Sequence, residues 1–360
     1  MDMSEQDKKL IIKDIDVIAV SLGKRFSGIN ASMLAVMPEQ TKLTNIVGMG
    51  LNLENGDFPM ITFKQFLFGC WRDKYRVWHA RRNIDMLTGI ILKYIFQYKI
   101  ELVFTSVAQR YHKKLTKFYI NTMKAVICPS EISSSYLDKK PYIVPHGVDV
   151  DTFFPTENKS VDFANKNIPG KHGIGIFGRI RESKGTREFV QASILVLKNN
   201  PDWTAVIIGE ATPRDQDFKK ELEGLVAQAE MKDRIIFTGF LKDSNEVPPW
   251  YRALDIVVCA SHKEGFGLPS LEAMASKCNV ITTKEGAWPE IIVDGENGYL
   301  VDCKSSDQIA SKLEVLMNDS DRRKSMAQKG YDLVTSKYTS NSEAKGIQDV
   351  YDMVLKGKNN

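Results

Sequence analysis

Residues 255–283 read DIVVCASHKEGFGLPSLEAMASKCNVITT, and this stretch decides the fold. The apolar run 255–259 predicts a buried strand, and the pattern after Pro269 predicts a helix over 268–276. A second apolar run, 280–283, predicts another strand. Strand, helix and strand in this order form the unit of a parallel sheet, because parallel neighbours need a crossover connection.

The same alternation continues on both sides of this unit. In the first half, strands are predicted at 15–20, 43–47, 102–105, 125–128 and 142–144, with helices at 29–37, 84–98 and 110–123. In the second half, strands are predicted at 174–177, 204–208, 235–238 and 298–301, with helices at 186–197, 215–229, 307–317, 321–334 and 342–355. The polar stretch 156–172 interrupts the pattern and predicts a linker. We therefore expect two doubly wound α/β domains, 1–155 and 156–340.

Length and composition agree with a globular enzyme of two domains. The chain has 360 residues, of which 43% are hydrophobic and 26% charged. Its five cysteines form no Cys-x-x-Cys pair, which argues against a disulfide framework or a zinc cluster. Residues 1–13 lack the apolar core of a signal peptide, and 84–104 carries too many charges for a membrane span. We expect a cytoplasmic protein.

The charge is distributed unevenly along the chain. Residues 1–150 contain 21 Lys and Arg against 14 Asp and Glu, a balance of +7, whereas the remaining 28 against 31 give −3. Two interpretations remain open. The basic half has a solvated surface, or it meets an anionic partner such as a phospholipid or a phosphorylated glycolipid. We expect no nucleic-acid partner.

The loop and helix start within 261–275 have the chemistry of a binding site. Glu264 and Glu272 stand eight residues apart, and Gly265 and Gly267 allow a ligand to approach the backbone closely. The backbone N–H groups of three residues at the helix start suit an anionic or hydroxyl-rich ligand; these are Phe266, Gly267 and Leu268. Spacing alone also allows a plainer interpretation, in which one carboxylate caps the helix and the other is solvated.

A second group of candidates follows the first strand of the second domain, where ligands bind in such sheets. Arg179 and Lys184 in this loop have the charge to neutralise a diphosphate, although two solvated surface cations would have the same sequence. In the first domain, Gly28 follows the first strand and is equally explained by a turn.

Cations and aromatic residues are concentrated in 71–83. Arg81 and Arg82 precede a predicted helix and could hold phosphate or carboxylate groups, with His79 and Arg110 as further candidates; the alternative is a basic, solvated helix start with Trp78 in the core. The helix over 110–124 is basic and amphipathic, as in helices that lie on an anionic membrane, and as in many ordinary domain helices. The five histidines form no His-x-x-x-His pair.

The run EGFGLPSLEAMA at 264–275 resembles the signature of glycosyltransferase family 4. That resemblance implies a GT-B fold, with two Rossmann-like domains facing a cleft and a C-terminal helix, about 341–357, returning to the first domain. It implies a retaining glycosyltransferase in which Glu264 contacts the transferred sugar and Glu272 the ribose. Arg179, Lys184 and Gly185 match the family loop that contacts the donor pyrophosphate, and Gly28 matches a glycine near the phosphates. The family implies no cofactor and no divalent metal.

A narrower resemblance is carried by the runs WHARRN at 78–83, FTS at 104–106 and AQR at 108–110. Within the family they resemble the mannosyltransferases of lipopolysaccharide core assembly. This implies transfer of mannose from GDP-mannose to an anionic glycolipid, by an enzyme in peripheral contact with the inner face of a Gram-negative cell membrane. The family's first-domain histidine has no clear counterpart, with His79 and His112 as candidates. Alternatives are a UDP-sugar donor, a nucleotide-sugar epimerase, or a non-catalytic glycolipid-binding module.

Overall fold

The computed structural model describes residues 14–24, 28–53, 56–69, 73–241 and 243–358. They form two compact units. Unit 1 comprises the described residues of Met1–Gly147 and of Thr339–Asn360, and unit 2 is Val148–Tyr338. The stretch 156–172, predicted as a linker, lies inside unit 2 and contains a helix, Lys159–Ala164. This stretch belongs to unit 2 because the side chain of Phe163 is fully buried in the unit 2 core.

Unit 1 alternates strands and helices, as the sequence predicts. In chain order its elements are β1 (Val17–Ser21), α1 (Gly28–Thr41), β2 (Ile46–Gly50), α2 (Phe63–Phe68), β3 (Arg76–Ala80), α3 (Asn83–Tyr94), β4 (Ile100–Thr105), α4 (Lys114–Thr122), β5 (Ala125–Cys128), α5 (Glu131–Ser134) and β6 (Tyr142–Ile143). The strands pair in parallel in the order β2-β1-β3-β4-β5-β6.

Strand β3 is the main element that the sequence pattern misses. It lies between β1 and β4, and all five of its residues are buried. The sequence pattern misses β3 because Arg76 and His79 interrupt the apolar run that is typical of a buried parallel strand. Asp73 accepts a bond of 2.7 Å from the Arg76 guanidinium, and the Ile15 carbonyl accepts one of 2.9 Å. These partners compensate the burial of the charge.

Several further boundaries differ from the prediction, among them the end of α3, which is Tyr94 instead of residue 98. Helix α1 continues past Pro38 to Thr41, and this places the next strand at Ile46–Gly50 instead of 43–47. Helix α4 begins at Lys114 instead of residue 110.

Unit 2 repeats the alternation. Its elements are α6 (Lys159–Ala164), β7 (His172–Phe177), α7 (Thr186–Leu197), β8 (Trp203–Ile208), α8 (Gln216–Gln228), β9 (Ile235–Gly239), α9 (Val247–Ala253), β10 (Ile256–Cys259), α10 (Leu268–Ala275), β11 (Asn279–Thr283), α11 (Trp288–Ile291), β12 (Tyr299–Val301), α12 (Ser306–Asn318) and α13 (Ser320–Lys337). The parallel order is β12-β11-β10-β7-β8-β9. Strands β7 and β10 are neighbours at the point where the strand order reverses, which is where doubly wound sheets bind ligands.

The C-terminal helix α14 (Ser340–Leu355) belongs to unit 1, as the resemblance implies. Its apolar side, including Ile347, Val350 and Val354, packs into the same core cluster as Met33 and Val36 of α1. Its start is capped by the Thr339 hydroxyl, which accepts a bond from the Ser342 N–H at 3.1 Å. The prediction of two Rossmann-like α/β domains with a returning helix is confirmed.

Candidate active site

The loops that follow β7 and β10 bring two predicted site residues into direct contact. Lys184 lies after β7 and Glu264 after β10, and the Lys184 Nζ donates to Glu264 Oε2 at 2.7 Å. The Ser261 hydroxyl donates to the same oxygen at 3.1 Å, and the Gly265 N–H donates to Oε1 at 3.1 Å. Glu264 is thus held as a partly exposed carboxylate with a fixed orientation. The sequence predicted both residues, and the sheet topology explains why they meet.

The loop between Ser261 and α10 is fixed by its backbone conformation and by a tryptophan. Gly267 caps α10 with φ of 96°, in the left-handed region. A Cβ there would lie 2.2 Å from the Trp288 indole nitrogen. That indole donates to the Ser270 hydroxyl at 3.1 Å, and Ser270 donates to the Gly267 carbonyl at 2.9 Å. The motif therefore needs glycine at 267 for space as well as for φ.

A cavity of about 610 Å³ lies beside this pair at the carboxyl ends of the strands. Three of the residues predicted to bind the donor line it together: Arg179, Lys184 and Glu272. Arg179 is exposed, and no hydrogen bond or ion pair connects it to the described residues. The cavity has the volume of a small-molecule site, and its lining contains two cations, Arg179 and Lys184, and two carboxylates, Glu210 and Glu272.

Glu272 is held by a tyrosine that the sequence analysis did not select. The Tyr251 hydroxyl donates to Glu272 Oε2 at 2.7 Å. Burial raises the pKa of Glu272 above its usual value, and the bond from Tyr251 opposes that shift. Tyr251 itself stacks on Phe177 with ring centroids 3.8 Å apart. Burial and the neighbouring Glu272 raise the pKa of Tyr251 far above its usual range, so it remains a donor.

Other cavity residues were missed, although a signal for them exists. Glu210 and Thr212 follow β8, and Phe240 and Leu241 follow β9. Both strands were predicted, and the rule that ligands bind at carboxyl strand ends would have selected the residues after each of them.

The remaining predicted donor residues are placed as follows. The side chain of Phe266 is buried, 6% exposed, so only its backbone can face a ligand. Gly265 and Leu268 are half-buried on the same loop. Gly28 begins α1 in unit 1, and a Cβ there would meet no atom within 4 Å. None of the described residues of unit 1 requires glycine at that position, and its contact with the donor stays a prediction.

Unit 1 has a basic cavity of about 590 Å³ at the carboxyl ends of β3 and β4. Arg81, Arg82 and Arg110, all predicted acceptor residues, line it with His112 and Lys113. None of the described residues that line it is an aspartate or a glutamate. The runs 78–83 and 104–110 carry the narrower resemblance, and they meet here because β3 and β4 are adjacent. Trp71 and Arg72, from the same sequence stretch, lie outside the described residues.

Arg81 is the most unusual cation of this cavity. It is 5% exposed, and its Nε is buried without a hydrogen-bond partner. Its Nη1 lies 3.5 Å from the Ser32 hydroxyl, and no carboxylate pairs with it among the described residues. The neighbouring Asp85 accepts from the Arg81 backbone N–H at 3.1 Å instead. Burial lowers the pKa of Arg81, and the nearby Glu343 and Asp85 oppose that shift.

His79 lies behind the cavity and does not line it. It is fully buried, with Nδ1 2.6 Å from the Tyr351 hydroxyl and Nε2 2.7 Å from the Thr105 hydroxyl. Both ring nitrogens therefore have partners within unit 1, and a direct contact with an acceptor has no support in this geometry. Burial and nearby Arg81 hold the pKa of His79 well below its usual value, so the ring is neutral.

Comparison with known proteins gives the family. A model of glycosyl transferases group 1 matches residues 158–333, which contain the whole Lys184–Glu264 site. Over 349 residues the chain is 36% identical to the lipopolysaccharide core biosynthesis mannosyltransferase LpcC of Rhizobium leguminosarum bv. viciae, covering 96% of this chain and 98% of that one. It is 35% identical to the corresponding LpsB of Rhizobium meliloti, covering 96% and 99%. The chain belongs to the group 1 glycosyl transferases.

Solved structures agree with this assignment of a glycosyltransferase. The C-terminal domain of a group 1 glycosyl transferase, LpcC from Francisella tularensis, is 69% identical, covers 54% of this chain and 99% of that one, and has a TM-score of 0.53. The Anabaena protein HepE in complex with UDP covers 94% and 100% with a TM-score of 0.80. Its identity is only 17%, so it supports the GT-B fold alone.

Two further properties of this glycosyltransferase concern metals and membranes. Within the described ranges, no group of three or more His, Cys, Asp or Glu side chains is arranged to hold a metal ion. No helix among the residues that the structure describes is long and apolar enough to cross a bilayer.

Proposed function

We propose that this glycosyltransferase transfers mannose from GDP-mannose to a lipopolysaccharide core or related glycolipid acceptor, with retention of configuration. The observation that carries the proposal is the Lys184–Glu264 pair at the strand-order reversal of unit 2, in a chain similar over nearly its whole length to two lipopolysaccharide core mannosyltransferases. Unit 2 takes the nucleotide sugar and unit 1 takes the acceptor.

Donor binding follows from the charges around the unit 2 cavity. Arg179 and Lys184 neutralise the diphosphate, and the N-terminus of α10 adds its positive end. Glu272, oriented by Tyr251, accepts hydrogen bonds from the ribose hydroxyls, and Glu264 accepts them from the sugar. The cations stabilise the charge that develops on the departing diphosphate, whose oxygen takes the acceptor proton. No cofactor or divalent metal takes part in this scheme.

Acceptor binding follows from the buried charge in unit 1. A guanidinium that is 5% exposed and has no carboxylate partner is costly, and an anionic ligand compensates the cost. Arg82, Arg110 and Lys113 add positive charge to the same cavity, which no described Asp or Glu lines. We therefore expect the acceptor to carry a phosphate or carboxylate group that enters this cavity.

The surface next to this cavity suits a membrane. We define the apolar-basic surface as Tyr111, Lys113, Lys114, Leu115, Lys117 and Phe118. Its three apolar side chains are 74%, 61% and 60% exposed, in chain order. Tyr111 and Lys113 also line the basic cavity, so a lipid-anchored acceptor would meet both features together. Apolar side chains among lysines bind the headgroup region of anionic leaflets, and we place the enzyme on the inner face of the cell membrane.

Membrane binding is tested by flotation with vesicles. The wild-type protein should float with vesicles that contain anionic phospholipid and stay unbound with purely zwitterionic ones. The double variant Leu115→Ser, Phe118→Ser should lose at least about tenfold in binding. Fully burying each side chain contributes roughly 1.5–3 kcal/mol, and even half of the sum for two exceeds the roughly 1.4 kcal/mol of a tenfold change. The matched control is Val161→Ser, Leu195→Ser, two exposed apolar residues of unit 2. Equal losses in both double variants would refute the assigned surface.

The proposed function is tested by a panel of donors and acceptors. GDP-mannose, UDP-glucose, UDP-galactose and UDP-GlcNAc are each incubated with lipopolysaccharide core glycolipids that carry or lack an anionic group beside the acceptor sugar. Mass spectrometry should show a hexose added from GDP-mannose to the anionic acceptor, unchanged by EDTA, and the new linkage should be α. Transfer only from a UDP-sugar would indicate a different donor, and epimerisation without an acceptor would indicate an epimerase. Binding without turnover would indicate a non-catalytic binding module.

A further inference from the structure

A buried chain of hydrogen bonds connects the C-terminal helix to the basic cavity of unit 1. Gln40 Nε2 donates to the Tyr351 hydroxyl at 3.3 Å. The Tyr351 hydroxyl lies 2.6 Å from His79 Nδ1, and His79 Nε2 lies 2.7 Å from Thr105 Oγ1. The four side chains are 1%, 1%, 0% and 5% exposed, in that order. Thr105 is the member that lines the cavity.

Counting protons gives this chain a direction. Because Gln40 donates to the Tyr351 oxygen, the single hydroxyl proton of Tyr351 is available for His79 Nδ1. A neutral imidazole that accepts at Nδ1 carries its proton at Nε2, so His79 donates to the oxygen of Thr105. The hydroxyl proton of Thr105 is then not used within this series of hydrogen bonds. A hydroxyl in this state presents a donor to the cavity.

We infer that Thr105 donates a hydrogen bond to the anionic group of the acceptor, and that His79 and Tyr351 are positioning residues that orient it. The inference rests on the proposed function of the basic cavity. Phosphate and carboxylate oxygens only accept hydrogen bonds, so a hydroxyl that turns its proton toward an anion in the basic cavity adds to the attraction. A hydroxyl that turns its lone pairs toward the anion would oppose binding. His79 therefore affects acceptor binding through the orientation of the Thr105 hydroxyl and does not contact the acceptor.

The first test compares Thr105→Val with Thr105→Ser in steady-state kinetics. The valine variant keeps the shape and loses the hydroxyl. It should raise the acceptor KM about tenfold, the loss expected for one hydrogen bond to a charged group, and should change the donor KM by less. The serine variant should restore the acceptor KM to within about threefold of wild type, because it keeps the hydroxyl. Tyr351→Phe should raise the acceptor KM in the same direction and by less.

Nitrogen NMR of histidine-labelled protein tests the direction of the chain without any substrate. The chain has five histidines, so the spectrum is simple. The His79 signal, assigned with His79→Gln or by its shift in Thr105→Val, should show the Nε2–H tautomer and remain neutral through the physiological pH range. Tyr351→Phe should change this signal.

Three results would overturn the inference. The first is an Nδ1–H tautomer of His79 in the wild type, and the second is an unchanged acceptor KM in a folded Thr105→Val variant. The third is a Thr105→Val variant that shows neither donor hydrolysis nor a thermal unfolding transition, because that result would indicate a structural role only. If the wild-type protein transfers to no acceptor, the proposed function fails. An Nε2–H tautomer would in that case still leave the direction of the chain intact, and titration with inorganic phosphate should then perturb the His79 signal in the wild type and less in Thr105→Val.

Discussion

Lys184→Met should lower kcat by about 10²–10³, the effect expected for one electrostatic contact to a developing charge. The side chain of Lys184 is 24% exposed and its ammonium lies 2.7 Å from Glu264 Oε2. Methionine keeps much of the apolar stem and removes the charge. The variant therefore loses a cation for the departing diphosphate and also leaves Glu264 without its ion-pair partner. The measurement is initial-rate kinetics with nucleotide sugar and acceptor varied separately.

A control for Lys184 stands in the neighbouring loop. Lys263 precedes Glu264 in sequence and is exposed, so Lys263→Met removes the same charge without touching the ion pair. It should retain wild-type kcat and both KM values. Lys184→Arg should recover only part of the rate, because a guanidinium differs in shape and reach from an ammonium. A Lys184→Met enzyme as fast as Lys263→Met would remove Lys184 from the donor site.

Gly185→Ala should lower the free energy of unfolding of unit 2 by about 2–5 kcal/mol. Of this, roughly 1–2 kcal/mol comes from placing a side chain in the left-handed region and about 1–3 kcal/mol from overpacking. The backbone at Gly185 has φ of 70°, and a Cβ would lie 2.0 Å from the Ala260 carbonyl oxygen. That oxygen belongs to the backbone directly after β10, so it cannot rotate away. Since Lys184 is adjacent, donor affinity should fall together with stability.

Urea unfolding followed by circular dichroism measures this change, with Gly224→Ala as the matched variant. Gly224 lies inside α8, and a Cβ there would meet no atom within 4 Å. That substitution should stabilise the unit by about 0.4–1 kcal/mol, because alanine loses less backbone entropy in a helix. Two glycines in one unit thus receive opposite predictions. Equal midpoints for both variants would contradict the close approach at Ala260.

The candidate donor residues could be selected from sequence because they lie in the loops directly after strand ends. Arg179 and Lys184 follow one predicted strand and Glu264 follows another, and sheet topology brings such loops together. Glu272 was selected as well. Its partner Tyr251 was not, because that contact joins two different helices, α9 and α10, and no sequence spacing encodes it.

The acceptor residues were harder to predict, because their roles depend on which side chains are buried and which hydrogen-bond partners they find. His79 was selected within the run 78–83 and as a candidate for the family's first-domain histidine, but its ring is fully buried between the hydroxyls of Tyr351 and Thr105. The unpaired guanidinium of Arg81 is apparent only when every neighbour is known.

By itself the sequence determined the fold class and the repeated parallel units, because these depend on apolar runs, and the resemblance to a known family selected Lys184 and Glu264 as candidate site residues. Only the tertiary structure decided that 156–172 belongs to unit 2, that Arg76–Ala80 is a central strand, and that Tyr351 of the last helix bonds to His79. The reason is physical. Burial and long-range hydrogen bonds depend on which elements become neighbours, and that is a property of the packed chain as a whole.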